Sequence, residues 1–255
     1  MAVRLVRPLI DINAARRISM NLRPDDTVPG PIACRACDLN EVCRLCGLIA
    51  LERGRTQRTL GALRAVRTGT PLFRAGSPAD ALYAVRQGMF KRVHVDADGE
   101  EHILGVVLPG DVVGLEAFSA DTYGSDVIAL QPAVCCELPL PLLNEHSARV
   151  RELGSALIRL LSNAVAPAVH QARGPIRKRV TTLLLQLAER LERRGLDNRE
   201  FALGLSRREM ADLLDTRIET VSRTMQALHR ERRVLVRGNR VSILSLGSPE
   251  ALAPR

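Results

Sequence analysis

Apolar positions change period along this chain, and each period predicts a different kind of element. Between Leu72 and Leu140 they come in short runs, punctuated by glycines at 76, 88, 99, 105, 110, 114 and 124. In Phe90-Lys91-Arg92-Val93-His94-Val95 the valines alternate with Arg92 and His94, the period of a half-buried strand. Asp96-Ala97-Asp98-Gly99 supplies a hairpin turn, with Gly99 able to take positive φ. Many short strands with glycine turns predict a small barrel or jelly roll. From Ala148 to about Gln171 the spacing lengthens to that of a helix. Leu153, Leu157, Leu160 and Ala164 follow the 4-3-4 spacing of a coiled-coil seam, and Ile158, Leu161 and Val165 widen the apolar surface. A helix apolar on more than one face needs two neighbours. The expected ones are its own barrel and the same helix of a second subunit, with Leu153, Leu157, Leu160 and Ala164 as the dimer seam. Pro167 is expected to end or bend that seam, because proline removes a helical hydrogen bond.

The last third alternates helical and strand patterns. Gly174-Pro175 opens a helix whose face is Val180, Leu183, Leu184, Leu187 and Leu191, and Gly195 closes it. Ser206-Arg207-Arg208-Glu209 has the form of a capping box ahead of Met210, Leu213 and Leu214. Thr216-Arg217-Ile218-Glu219 predicts a second capping box and a longer helix through about Arg230. Two capped helices joined by so short a turn make a helix-turn-helix. In the second helix Ile218, Val221, Met225 and Leu228 are expected to face inward. That leaves Arg217, Glu219, Thr220, Ser222, Arg223 and Gln226 outward, near the end that enters a major groove. Val234 to Ile243 then predicts a hairpin turning at Gly238, which makes the module a winged helix. The expected fold is α+β. It comprises a cysteine-bearing arm (1–60), a β-barrel sensor (61–146), a dimerisation helix (147–172), a winged helix-turn-helix (173–246) and a tail (247–255).

Charge supports a polyanionic partner for the last third. The net charge is +9, and aromatics make up only 2% of the 255 residues, so the cores rest on Leu, Val, Ile and Ala. Residues 1–70 carry 12 basic groups against 6 acids, residues 71–172 carry 7 against 12, and residues 173–240 carry 17 against 9. Basic ends around an acidic middle point to nucleic acid. Arginine outnumbers lysine 35 to 2, so a solvated arginine surface is the competing reading of charge alone. No apolar run is long enough to span a bilayer, and Met-Ala-Val-Arg-Leu-Val-Arg-Pro has no apolar signal core. A cytoplasmic location without a membrane partner is expected.

Six cysteines carry the candidate chemistry: Cys34, Cys37, Cys43 and Cys46, spaced C-x2-C-x5-C-x2-C, and Cys135 and Cys136 far downstream. In a reducing compartment, clustered cysteines are more often metal ligands than disulfides. Ala133-Val134-Cys135-Cys136-Glu137-Leu138 reads as a strand, whose neighbouring side chains point to opposite faces. Only one of the pair can then join a given site, while a local site using Cys46 stays open. An enzyme that uses the barrel, such as a cupin-like or iron-sulfur oxidoreductase, lacks its residues. There is no His-x-His metal set and no glycine-rich nucleotide loop, and the winged helix would have no purpose.

Barrel, dimer helix and winged helix in that order resemble the Crp/Fnr family of bacterial transcription regulators, most closely its oxygen-sensing Fnr branch. The resemblance runs from about residue 31 to 246. It is carried by Cys34-x2-Cys37-x5-Cys43, by Leu72-Phe73-Arg74-Ala75-Gly76 with Leu82 to Gly88, and by Glu219-Thr220-Val221-Ser222-Arg223. Val134-Cys135-Cys136-Glu137-Leu138-Pro139 resembles the strand bearing the fourth ligand, which selects Cys136 over Cys135. The resemblance implies a [4Fe-4S] cluster on Cys34, Cys37, Cys43 and Cys136, with Arg35 and Arg44 partly offsetting its charge. Oxygen is then expected to degrade the cluster and loosen the dimer. A zinc or thiol-disulfide site in the same kind of regulator is the alternative. The implied partners are double-stranded DNA, a second copy of the chain and RNA polymerase. The DNA site would be an inverted repeat of a half-site like TTGAT, read by Glu219, Ser222 and Arg223, while Arg207 and Arg208 hold phosphates. The cyclic-AMP branch of the family clamps its ligand with a glutamate and an Arg-Ser pair. Here Glu116 is present but Tyr123-Gly124-Ser125-Asp126 has no arginine, so no cyclic nucleotide is expected.

Overall fold

The computed structural model describes residues 31–46, 49–50, 58–59, 62–141, 143, 151–165 and 174–245. The first 30 residues of the arm, the two ends of the expected dimer helix with Pro167, the Ala164 side chain and the 247–255 tail lie outside the described residues.

After two short strands that pair with each other, β1 (Ile49–Ala50) and β2 (Arg58–Thr59), comes the jelly roll. Its strands are β3 (Ala62–Val66), β4 (Pro71–Phe73), β5 (Ala81–Gln87), β6 (Phe90–Val95), β7 (Glu101–Val107), β8 (Val112–Val113), β9 (Asp126–Ala129) and β10 (Ala133–Pro139). They form two four-stranded antiparallel sheets, ordered β3-β10-β5-β8 and β4-β9-β6-β7. The predicted hairpin is present: Val95 pairs with Glu101 and His94 with His102. Asp96 N–H donates to Glu100 O across the turn at 3.0 Å, and Gly99 sits at φ +81°. Four of the chain's six aromatic residues, Phe73, Tyr83, Phe90 and Tyr123, meet in one core between the sheets. Phe73 and Tyr123 stack with centroids 3.8 Å apart, and the Tyr123 hydroxyl donates to Ala81 O at 2.7 Å.

Five helices are described: α1 (Asn40–Leu45), α2 (Arg151–Val165), α3 (Ile176–Arg193), α4 (Arg207–Leu213) and α5 (Ile218–Arg230). The wing is a three-stranded sheet rather than a bare hairpin. β11 (Glu200–Ala202) pairs with β13 (Arg240–Ile243), which pairs with β12 (Val234–Arg237). The predicted leucine face of α3 is fully buried. It joins Met210, Leu214, Val221, Met225 and Leu228 in a core continuous with Met89, Val106 and Leu108 of the barrel. The winged helix-turn-helix, the expected DNA reader domain, is therefore packed on the barrel. Lys91 Nζ bonds Glu209 Oε1 at 2.7 Å, and Ile103 N–H donates to Asp212 Oδ2 at 2.5 Å.

Three local expectations differ from the structure. The capping box at Ser206 is formed, with Glu209 N–H donating to Ser206 Oγ and Ser206 N–H to Glu209 Oε2. The second one is not: α5 is capped by Arg217 in extended conformation, without a side-chain bond. Ile218, its first residue, is 41% exposed instead of inward, while Val221, Met225 and Leu228 are buried as expected. On α2, Leu153 and Leu160 are buried inside the chain and Leu157 is half-buried. They pack with Ala156 against Leu39 and Val42 of the arm and Leu82, Ala84 and Leu138 of the barrel. The intended dimer seam is thus the face α2 gives to its own subunit. Ile158 (66% exposed) and Leu161 (37%) are what it leaves open.

Candidate functional site

The arm is tied to the barrel on either side of the Cys34–Cys37 turn. Ile32 N–H donates to Arg86 O at 2.9 Å, and Asp38 N–H to Gly110 O at 3.0 Å. Cys34 lies in a single 3-10 turn, Cys34–Ala36, and Cys37 N–H closes that turn on Cys34 O at 3.0 Å. The x5 spacing then carries the chain into α1, where Cys43 N–H donates to Leu39 O at 2.8 Å. Apolar Leu39 and Val42 pin α1 to α2, and the Arg159 guanidinium forks onto Glu41 with contacts of 2.6 and 3.3 Å.

Strand β10 divides the downstream pair as the pleat requires. Cys135 is fully buried in the barrel core, while Cys136 points to the opposite face, toward the arm. Cys34, Cys37, Cys43 and Cys136 line one pocket of about 330 Å³, including its space open to solvent, together with Asn40 and Arg86. Neither Cys46 nor Cys135 lines it. Cys46 is buried in the apolar cluster of Leu39, Val42 and Leu153, the setting of a small hydrophobe. No disulfide joins any of the six cysteines.

Burial pushes the Cys37 thiol up to about 12, a rise to which Cys136 adds and which Leu39 N–H and the Arg194 guanidinium oppose. Burial, followed by the neighbouring sulfurs of Cys37, Cys136 and Cys34, raises Cys43 further. These thiols are protonated on their own at neutral pH, and a cation bound among them would have to displace their protons. Among the described residues no three Cys, His, Asp or Glu side chains are arranged to hold a metal ion. The donor set nonetheless fits a thiophilic group: four sulfurs on one pocket, with Cys37 and Cys43 raised chiefly by burial and further by their neighbouring sulfurs, and with Arg86 on the lining and Arg194 acting on Cys37. Arg35 and Arg44 are both exposed, and a cation that does act on Cys37 is Arg194. Neither Arg194 nor the pocket residue Arg86 was identifiable from the cysteine motif, since both are distant in sequence.

The residues expected to read DNA lie mostly on α5. Arg217, Glu219, Arg223 and Gln226 are exposed, and Thr220 and Ser222 are half-buried on the same outward side. Val221, Met225 and Leu228 hold the opposite face in the core. At the start of α4, Arg208 is exposed, but Arg207 is half-buried with Nη1 3.4 Å from Met210 Sδ.

Residues 63–148 match the cyclic nucleotide-binding domain family, and residues 178–253 match the Crp-like helix-turn-helix domain family. The chain is 30% identical to the transcriptional activator protein anr of Pseudomonas aeruginosa, over 83% of this chain and 88% of that one. It is 28% identical to the fumarate and nitrate reduction regulatory protein of Vibrio cholerae, over 84% and 87% of the two chains. Among solved structures it resembles FixK2 from Bradyrhizobium japonicum, with a TM-score of 0.67 and 23% identity over 76% of this chain and 98% of that one. The first two relatives are regulators by name, and the two matched domains and the fold are those of transcription regulators rather than of enzymes.

Proposed function

The chain belongs to the Crp/Fnr family of DNA-binding transcription regulators, and on that premise we propose that it senses oxygen through a [4Fe-4S] cluster held by Cys34, Cys37, Cys43 and Cys136. The observation that carries the reading is the shared pocket, lined by those four cysteines and by neither Cys46 nor Cys135. When bound, the cluster would supply an oxygen-labile centre whose reactivity depends on its exposure and its charged neighbours. The rest follows from this chain's own residues.

Cys136 would fasten the cysteine loop to β10, and α1 packs on α2 through Leu39, Val42, Leu153, Ala156 and Leu160. The state of the pocket is thus felt on the buried face of α2, while Gly154, Ile158 and Leu161 stand exposed at four- and three-residue spacing on the other. That exposed stripe is the dimer seam in this reading. It holds two reader domains at the half-site separation of about 34 Å. Glu219, Ser222 and Arg223 would then read an inverted repeat of a half-site like TTGAT, with RNA polymerase recruited at the promoter.

The test is an anaerobic preparation followed by visible absorption, sedimentation and DNA binding before and after exposure to air. The reading expects a coloured dimer that bleaches in air, dissociates and releases its DNA. A colourless protein with one tightly held zinc and no response to air would replace it with the zinc alternative.

A further inference from the structure

Arg194 stands where the cysteine loop, the barrel and the reader domain meet. It caps the C-terminus of α3, and its side chain is only 19% exposed. Nη1 donates to Ala36 O at 2.7 Å and Nη2 to Asp38 Oδ2 at 2.7 Å, contacts that span 158 and 156 residues of sequence. Ala36 lies between Cys34 and Cys37, and Asp38 follows Cys37. Asp111 Oδ1 stands 3.5 Å from the same guanidinium. Gly110, at φ +96°, makes room: a Cβ there would come within 2.5 Å of Arg194 Nε. One turn back along α3, Arg190 grips Asp111 and donates to Val106 O at 3.1 Å. The other end of this connection is the leucine face of α3, the core of the reader domain. A physical path therefore runs from the cysteine loop to the reader without passing through α2.

We propose that Arg194 is a positioning residue that clamps the cysteine loop to the reader domain, so that the ligation state of the pocket alters the seating of the reader within one subunit. The proposal rests on the reading that the four cysteines bind a metal group. Its force comes from geometry. An exposed ion pair contributes little, but this guanidinium is largely shielded and bonds two acceptors of the loop at once, one of them a carboxylate. Ligated Cys34 and Cys37 hold those acceptors in place. Once they are released, the turn between them is free to move, and the clamp loses its register. Such coupling is reciprocal: a clamp that lets the pocket act on the reader must also let the reader act on metal retention.

Hydrogen–deuterium exchange on the full-length protein, reconstituted anaerobically with iron and sulfide, tests this. Bleaching with a chelator should speed amide exchange by about five-fold or more at both 34–46 and 187–196. The response at 187–196 should persist in Ile158→Glu, where the dimer route is cut. In Arg194→Gln the loop should respond to bleaching but 187–196 should not, and iron should pass to the chelator faster than from the wild type. Arg194→Lys, a single-point donor, should restore only part of the coupling. The proposal is overturned if 187–196 ignores bleaching in the wild type, or if Arg194→Gln responds as the wild type does. Failure of the metal reading has a different signature, a wild type without colour or iron. The metal-free protein then decides the clamp. Arg194→Gln and Asp38→Asn should each speed exchange at 34–46, and the double variant no more than either alone. Unchanged exchange in both single variants overturns it.

Discussion

Replacing Ile158 with alanine should dissociate the dimer while leaving the subunit folded. Fully burying an aliphatic side chain is worth about 1.5–3 kcal/mol. Ile158 is 66% exposed in the subunit, so two-thirds of that gain remains for a partner to supply. This scales to about 1–2 kcal/mol per copy and about 2–4 kcal/mol for a two-fold pair. At tenfold per 1.4 kcal/mol, the dimer dissociation constant should rise roughly 30- to 1000-fold. Leu153 gives the opposite result. It is fully buried inside the subunit, so Leu153→Ala should cost about 2–5 kcal/mol in unfolding free energy through lost burial and an unfilled cavity. Anaerobic sedimentation equilibrium at micromolar protein, paired with urea unfolding, separates the two effects. The reasoning fails if Ile158→Ala sediments as the wild type does, or if Leu160→Ala weakens the dimer without lowering the unfolding midpoint.

Arg223→Ala should cut specific affinity about tenfold or more and relax preference at the G·C pair of the half-site, since a bidentate arginine–guanine contact is worth about 1–3 kcal/mol. Arg208→Ala should weaken binding to all sequences alike and lower the salt slope by about one. Half-buried Arg207 should show less of that salt effect. A competition series over every base of one half-site at fixed salt checks all three, and uniform loss for Arg223→Ala would make it a phosphate anchor. His102 bonds Asp96 Oδ2 at 3.1 Å and lies 3.7 Å from Asp212 on α4, so its pKa is held above the ordinary 6.5, first by the Asp96 hydrogen bond. Its folded-state value is raised. The stabilisation is therefore complete below the unfolded value near 6.5 and lost as pH rises through the folded one. An NMR titration giving His102 a value at or below 6.5 would contradict that contact.

The parts of the fold written in short-range periodicity were legible in the sequence. The β6–β7 hairpin declares itself through alternating valines and Asp96-Ala97-Asp98-Gly99, and the face of α3 through five apolar residues at helical spacing. The split between Cys135 and Cys136 follows from the pleat alone, although only resemblance said which one joins the site. The rotation of α2 was not legible. Leu153, Leu157 and Leu160 have ideal seam spacing, but spacing cannot say whether the partner is another subunit or the chain's own arm. The N-cap of α5 slipped by one residue because Thr216-Arg217-Ile218-Glu219 fits the capping pattern locally. The helix starts at Ile218 instead, after Arg217 in extended conformation, and the left-handed backbone at Asp215 (φ +45°) precedes it in the turn. Arg194 was invisible because its hydrogen-bond partners on the cysteine loop, Ala36 and Asp38, lie more than 150 residues away.

The most direct test of the central claim is the iron, sulfide and zinc content of six single Cys→Ser variants, reconstituted anaerobically. The account predicts about four irons and four sulfides per chain in the wild type. Cys46→Ser and Cys135→Ser should retain most of both, while serine at Cys34, Cys37, Cys43 or Cys136 should remove them. Loss of the iron in Cys46→Ser, with its retention in Cys136→Ser, would contradict the account and make the site local to the arm.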